Sequence, residues 1–252
     1  MKNLALCVGL SLLLACTNQS LPDKTGSKPP SHATWDALLH QHVSAAGKVD
    51  YRGFRRDSLL LGQYLDSLSQ HPPDQKAWSR EEQLAYWINA YNAFTIKLIV
   101  KHYPVKSIQD LHPKPYVPLV NTAWHIKFFQ IGGLDFNLSQ IEHSILRKQF
   151  DEPRIHFAMV CASVSCPPLR NEAYVPDKID AQLSNQARTF INDPNRNQLQ
   201  PNDIRISKIF NWFTGDFTKK ESLIDFINRY AAIKISQDAS VDYLEYNWDL
   251  NE

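Results

Sequence analysis

Apolar positions recur at helical spacing over Thr34 to Ala45 and again over Asp57 to Ser69, where the breaker His71-Pro72-Pro73 stops the second pattern. A third pattern opens at Ser79-Arg80-Glu81-Glu82, the spacing of a capping box, and runs to about His102 ahead of Pro104. At about 100° per residue from Leu84, only the sector around Lys97 and Lys101 is polar. That predicts a helix buried on most sides at the centre of the fold. Three prolines within 111–121 predict an irregular crossing segment. Trp124 to Ile131 alternates ahead of Gly132-Gly133, the pattern of a hairpin with Phe136 on its return. A helix over Ser139 to Phe150, a strand over Arg154 to Val160 and a helix over Pro176 to Asn192 are expected next. A short strand at Ile204 to Ile206, a helix over Leu223 to Ala232 and a closing strand over Val241 to Tyr246 complete the pattern. Many helices with few, short strands predict an α+β class: a single globular domain over 34–252, a central buried helix, surrounding helices and a small, mostly antiparallel sheet.

Composition narrows the function. The chain has 252 residues, 43% of them hydrophobic, enough to bury a core without staples. Its 27 Lys+Arg against 26 Asp+Glu give no basic field for nucleic acid, and Arg52, Arg55 and Arg56 make too short a cluster for an arm. Only 8 glycines are present and neither G-x-G-x-x-G nor G-x-x-x-x-G-K-[ST] occurs, so no nucleotide cradle is expected. The N-terminus reads MKNLALCVGLSLLLAC, with Lys2 ahead of an apolar run from Leu4 to Ala15. That run is too short to span a bilayer but fits the h-region of a secretory signal. Leu13-Leu14-Ala15-Cys16 resembles a bacterial lipobox, which implies removal of 1–15 with Cys7 and a lipid anchor on Cys16; the alternative is an ordinary cleaved signal with a coincidental Cys. Thr17 in place of Asp points to the outer membrane, so the expected location is the periplasm, anchored in that membrane's inner leaflet. Residues 16–33, polar and carrying Pro22, Pro29 and Pro30, read as the lipidated N-terminus and a flexible tether.

Four groups of residues could carry chemistry. Cys161 and Cys166 share one loop ahead of Pro167-Pro168, either as a structural disulfide suited to an oxidising compartment or as a reactive dithiol. Two cysteines without a histidine at ligand spacing fall short of a metal site, and no cofactor is expected. Glu142 falls within the apolar stripe of its helix while His143 and Arg147 stack four apart on the flank. Ser139-x-x-Glu142 is itself a capping-box spacing, so Glu142 is either a cap or a functional carboxylate. His143 reads as a surface histidine or a general base. His156 lies on the expected strand, facing away from Ile155, Phe157 and Met159, as a core histidine or a partner for a thiol. Asn89 and Asn92, inside the nearly all-apolar third helix, must find buried partners and are expected to clamp loops onto it. Trp87, Tyr91, Trp124, Phe210, Trp212 and Phe213 read as core and groove aromatics.

The segments Tyr86-Trp-Ile-Asn89-Ala-Tyr91-Asn92, Ile141-Glu142-His143 to Arg147, Arg154-Ile-His156 through Cys161 to Cys166-Pro-Pro, and Ser207 to Phe217 resemble, in that order, the domain of unknown function 547 family, over residues 80–217. The ending from Tyr243 to Leu250 has the look of that family's closing strand. The resemblance implies a setting in bacterial lipoproteins and, through relatives fused to glutaredoxin-like domains, thiol chemistry. It carries over no catalytic residue. Three functions follow. The first is a dithiol protein using Cys161 and Cys166 with His156 or His143, acting on an envelope protein or a small thiol partner. The second is a non-catalytic binding module with a structural disulfide. The third is a Cys-His acyl transferase or peptidase with Glu142 or an Asn orienting the histidine.

Overall fold

The computed structural model describes residues 28–118 and 120–252, so the expected signal, the expected lipobox with Cys16 and most of the expected tether lie outside the described residues. Helix α1 (Ala33–His42), α2 (Tyr51–Arg56) and α3 (Ser58–Gln70) pack as an N-terminal layer. The Arg52, Arg55 and Arg56 cluster is the outer face of α2, whose Tyr51 and Phe54 are fully buried. Asp50 caps that helix through Gly53 N–H, a signal hidden in sequence by the shortness of the element.

Helix α4 (Arg80–His102) is the buried axis. Ser79 and Glu82 form the expected reciprocal cap, and every residue from Leu84 to Ile96 is buried while Lys97 is half-buried and Lys101 exposed. The Tyr86 hydroxyl donates to Leu68 O and ties α4 to α3. Beyond the proline-rich segment, a short 3-10 turn at Ala123–His125 occupies the start of the expected strand, and the hairpin is confined to β1 (Phe129–Ile131) and β2 (Leu134–Phe136). Gly132 and Gly133, both at positive φ, make the turn.

The chain then enters a π-helical segment, Gln140–Leu146, that runs into α5 (Arg147–Gln149). The expected strand over Arg154 to Val160 is instead a single helical turn, α6 (Ile155–Ala158), followed by extended backbone from Met159. Glu152 and Pro153 start the turn, since their carbonyls accept from Ile155 and His156, and a short apolar run does not distinguish strand from helix by period alone. Helix α7 (Ile179–Ile191) follows, then β3 (Gln198–Leu199), β4 (Asp203–Ile206), α8 (Lys208–Trp212), α9 (Thr214–Phe217), α10 (Leu223–Asn228) and β5 (Ser240–Tyr243). β4 pairs antiparallel with β3 and parallel with β5. The class is α+β, with a two-stranded and a three-stranded sheet in one domain.

Two apolar clusters form the interior. The larger surrounds α4; the second is a set of phenylalanines, Phe157, Phe190, Phe210, Phe217 and Phe226, between α7 and the C-terminal elements. α6 bridges them, because Ile155 and Ala158 belong to the first cluster and Phe157 to the second. Among the described residues no helix is long and apolar enough to cross a membrane.

Candidate functional site

The extended backbone after α6 leads into the loop that carries both cysteines. Asn92 fixes its entry: the amide Nδ2 donates to Ala158 O at 2.9 Å and Oδ1 accepts from Val160 N at 2.9 Å. Asn89 clamps Tyr174 in the same way, donating to its carbonyl at 2.8 Å and accepting from its N–H at 3.0 Å. Both amides thus do what their burial in α4 demands. On the far side of the loop, Val164 N–H bonds Asp249 O, Asn251 N–H bonds Ala162 O, and Arg196 donates to the carbonyls of Cys166 and Val164. Ala162, fully buried, sits at φ 60°, a left-handed conformation that a non-glycine residue holds only where its surroundings over-determine it.

This folding brings the two sulfurs together. Cys161 N–H donates to Cys166 Sγ at 2.8 Å, and the two thiols lie close enough to shift each other's ionisation. Of the two alternatives for this pair, the disulfide is not formed: both cysteines are free thiols, Cys161 half-buried and Cys166 buried. Cys161 Sγ also lies 3.2 Å from Ser163 Oγ and 3.2 Å from Tyr246 Oη. Burial opposes ionisation of Cys161, but the Cys166 thiol, the two hydroxyls and the Ser163 backbone outweigh it and hold this thiol below its ordinary value. Burial and the neighbouring Cys161 charge push Cys166 well above it. The pair is therefore asymmetric: a half-buried thiol held below its ordinary value and a buried one held above it.

The remaining candidates gather in a second cluster. His156, on α6 and buried, has Nε2 2.7 Å from Asp216 Oδ2 and its ring stacked on Phe213 at 4.0 Å. Arg147 holds the same carboxylate through Nε at 2.6 Å and Nη2 at 3.0 Å, and its Nη1 lies 3.0 Å from His143 Nδ1. Burial lowers the His156 pKa against the pull of Asp216. Partial burial works against the Asp216 charge, but the bonds from His156 and Arg147 hold its carboxyl far below the usual range. His143, exposed, is likewise lowered by desolvation and by Arg147. The expected strand parity for His156 does not apply, since the residue is helical and points to α9.

Glu142 does not cap its helix. Asn137 and Gln140 form the reciprocal box instead, Oδ1 accepting from Gln140 N at 2.8 Å and Gln140 Oε1 accepting from Asn137 N at 3.0 Å. Two overlapping capping frames exist in the sequence, and the upstream one is used. The wider π-helical turn then carries Glu142 inward, where it accepts from the Tyr91 hydroxyl at 3.2 Å; burial raises its pKa despite His156, Tyr91 and Arg147. Trp124 Nε1 donates to the same Tyr91 oxygen at 3.1 Å.

Tyr86 to Asn92, the π-helical segment, α6 and the cysteine loop all lie in one stretch of chain. Residues 75–191 match the model of a family described as a protein of unknown function, DUF547. No curated protein and no solved structure matches the chain. The DUF547 match holds both clamping asparagines, Glu142, His143, Arg147, His156 and both cysteines. It ends before Asp216 and Tyr246, so the carboxylate on His156 and the hydroxyl on Cys161 come from outside the DUF547 stretch. No local pattern marks either residue, because each acts only through a contact more than 50 positions away in the chain. Among the described residues, neither His143 nor His156 hydrogen-bonds a sulfur, and no group of three or more metal-ligating side chains forms a cluster. The arrangement offers a thiol pair on one side and a His-Asp-Arg cluster with a half-buried carboxyl on the other.

Proposed function

We propose that this chain is a lipid-anchored cell-envelope protein that performs dithiol–disulfide exchange at Cys161 and Cys166. The observation that carries the reading is the contact between two free thiols, one half-buried and bordered by two hydroxyls, the other buried. A nucleophile needs thiolate character and access, and a resolving thiol needs proximity and a retained proton. The Cys161 thiolate attacks one sulfur of a substrate disulfide; the S–S bond breaks, the leaving thiolate takes a proton, and a mixed disulfide joins Cys161 to the substrate. Cys166 then loses its proton and attacks the Cys161 sulfur, closing a Cys161–Cys166 bond and releasing the second substrate thiol. Two electrons and two protons pass to the substrate, and an external dithiol returns the protein to its reduced form. A Cys-His acyl transfer lacks the sulfur–imidazole contact it requires.

Mixed-disulfide trapping tests the exchange. In the full-length chain Cys166→Ser accumulates a covalent adduct with a disulfide substrate and Cys161→Ser forms none. A reduction potential below about −300 mV would mark an inert structural pair and refute the reading. The anchor rests on the apolar run ending at Cys16. It is tested by incorporation of labelled fatty acid, which Cys16→Ser abolishes.

A further inference from the structure

Cys161 lies against an aromatic surface. Tyr246, whose hydroxyl touches its sulfur, has its ring 4.5 Å from Trp248 and 4.8 Å from Trp212; Trp248 in turn lies 5.9 Å from Trp212 and 5.9 Å from Trp124. Four aromatic side chains from three separate parts of the chain thus make one continuous wall beside the nucleophile. Trp212 is 45% exposed, and the other three are half-buried. The wall is held in advance, since the Trp124 indole N–H is bonded to Tyr91 and Tyr246 is bonded to the loop it faces. Tryptophan and tyrosine left partly in water are the side chains that carry most binding energy at recognition surfaces, and contiguous exposed apolar area on a soluble domain marks such a surface. Charge points the same way. Among the described residues no Lys, Arg or His side chain hydrogen-bonds either sulfur, and the cations beside the loop are engaged: Arg196 is paired with Asp193 and bonded to the Cys166 and Val164 carbonyls, and Lys208 is paired with Glu245 at 2.8 Å. A small anionic disulfide finds no cationic partner at the thiol, whereas an uncharged apolar segment meets a surface of its own kind.

We infer that the substrate of this dithiol is an uncharged, aromatic-bearing cysteine segment of a protein, laid on the Trp124, Trp212, Tyr246 and Trp248 wall so that its disulfide reaches Cys161. The inference rests on the exchange reading and names its substrate class. The direct test compares two disulfides on the reduced full-length chain: the symmetrical disulfide of the capped peptide Ala-Phe-Cys-Leu-Ala, and oxidised glutathione. The peptide is expected to react with a second-order rate constant at least about tenfold higher. Trp248→Ala and Trp212→Ala are each expected to lower the peptide-to-glutathione ratio about tenfold, the size of loss typical of a central aromatic anchor. Equal rates, or tryptophan variants that slow both substrates alike, overturn the substrate class while leaving exchange in place. If neither disulfide reacts, the exchange reading fails, and the wall is read separately with the non-exchanging peptide in which Ser replaces Cys. Saturable quenching of tryptophan fluorescence that Trp248→Ala removes supports the docking surface; no quenching overturns it.

Discussion

Tyr246→Phe isolates what one hydroxyl does for the nucleophile. The ring and its packing on Trp212 and Trp248 are kept, and the oxygen 3.2 Å from Cys161 Sγ is removed. A hydrogen bond to a charged group contributes about 1.5–3 kcal/mol. Every 1.36 kcal/mol is tenfold in the ratio of ionised to neutral form, so the thiolate-to-thiol ratio at Cys161 falls by about ten- to a hundredfold. Part of that loss is returned, because a more basic thiolate is more nucleophilic with a Brønsted slope of about 0.4–0.5. The net expectation is a threefold to tenfold slower reaction at pH 7, with the inflection of the pH–rate curve moved upward. Iodoacetamide labelling of the reduced chain across pH, with the modified cysteine located by peptide mass, reads both quantities. Cys161 is expected to be labelled first, because Cys166 is buried and keeps its proton. An unmoved inflection, or first labelling at Cys166, refutes the reasoning. Circular dichroism of the variant checks that the fold is retained.

Three further outcomes follow from the same geometry. Asn92→Ala leaves Ala158 O and Val160 N–H without their buried partner; at about 1–3 kcal/mol for each of the two orphaned groups, a loss of about 2–6 kcal/mol is expected by denaturant titration, and less than 1 kcal/mol would contradict the clamp. Asp216→Asn removes the charge shared by His156 and Arg147, so the His156 imidazole, already lowered by burial, titrates at still lower pH by NMR; an upward move would contradict the assignment. Burial lowers His32 to about 4, bonded to Tyr64 at 2.8 Å, so this group gives stability above about pH 6.5 that is lost as pH falls toward 4, when the unfolded chain takes a proton the native one refuses. Melting temperature is expected to fall across that window and to fall less in His32→Gln.

The long periodic elements were legible in the sequence and the short ones were not. α4 shows its cap, its length and its polar sector in the residues themselves, because a helix buried along most of its length records its surroundings at every position. α6 does not: four residues of Ile-His-Phe-Ala hold no period, and the choice of helix is made by Glu152 and Pro153 before them. α2 and the single-turn helices α8 and α9 are hidden for the same reason. In the site, the clamping role of Asn89 and Asn92 follows from burial alone, since an amide among apolar neighbours must reach backbone. Glu142 illustrates the opposite case. Its capping frame is intact in sequence, yet Asn137 and Gln140 take the cap and the π-helical turn frees the carboxyl for Tyr91. Asp216 and Tyr246 depend on chain crossings that no local pattern encodes.

The bridging position of α6 bears on how the molecule opens. Because Phe157 is buried among the C-terminal phenylalanines while Ile155 and Ala158 are locked to the layer around α4, neither core can loosen without pulling on the turn between them. Its amide hydrogens are therefore expected in the slowest class by hydrogen exchange, opening only with cooperative unfolding of the whole domain, and exchange of α6 as fast as that of the surface-facing β5 would contradict the bridge. His156 sits on that bridging turn, so its ring resonances are expected to report global stability.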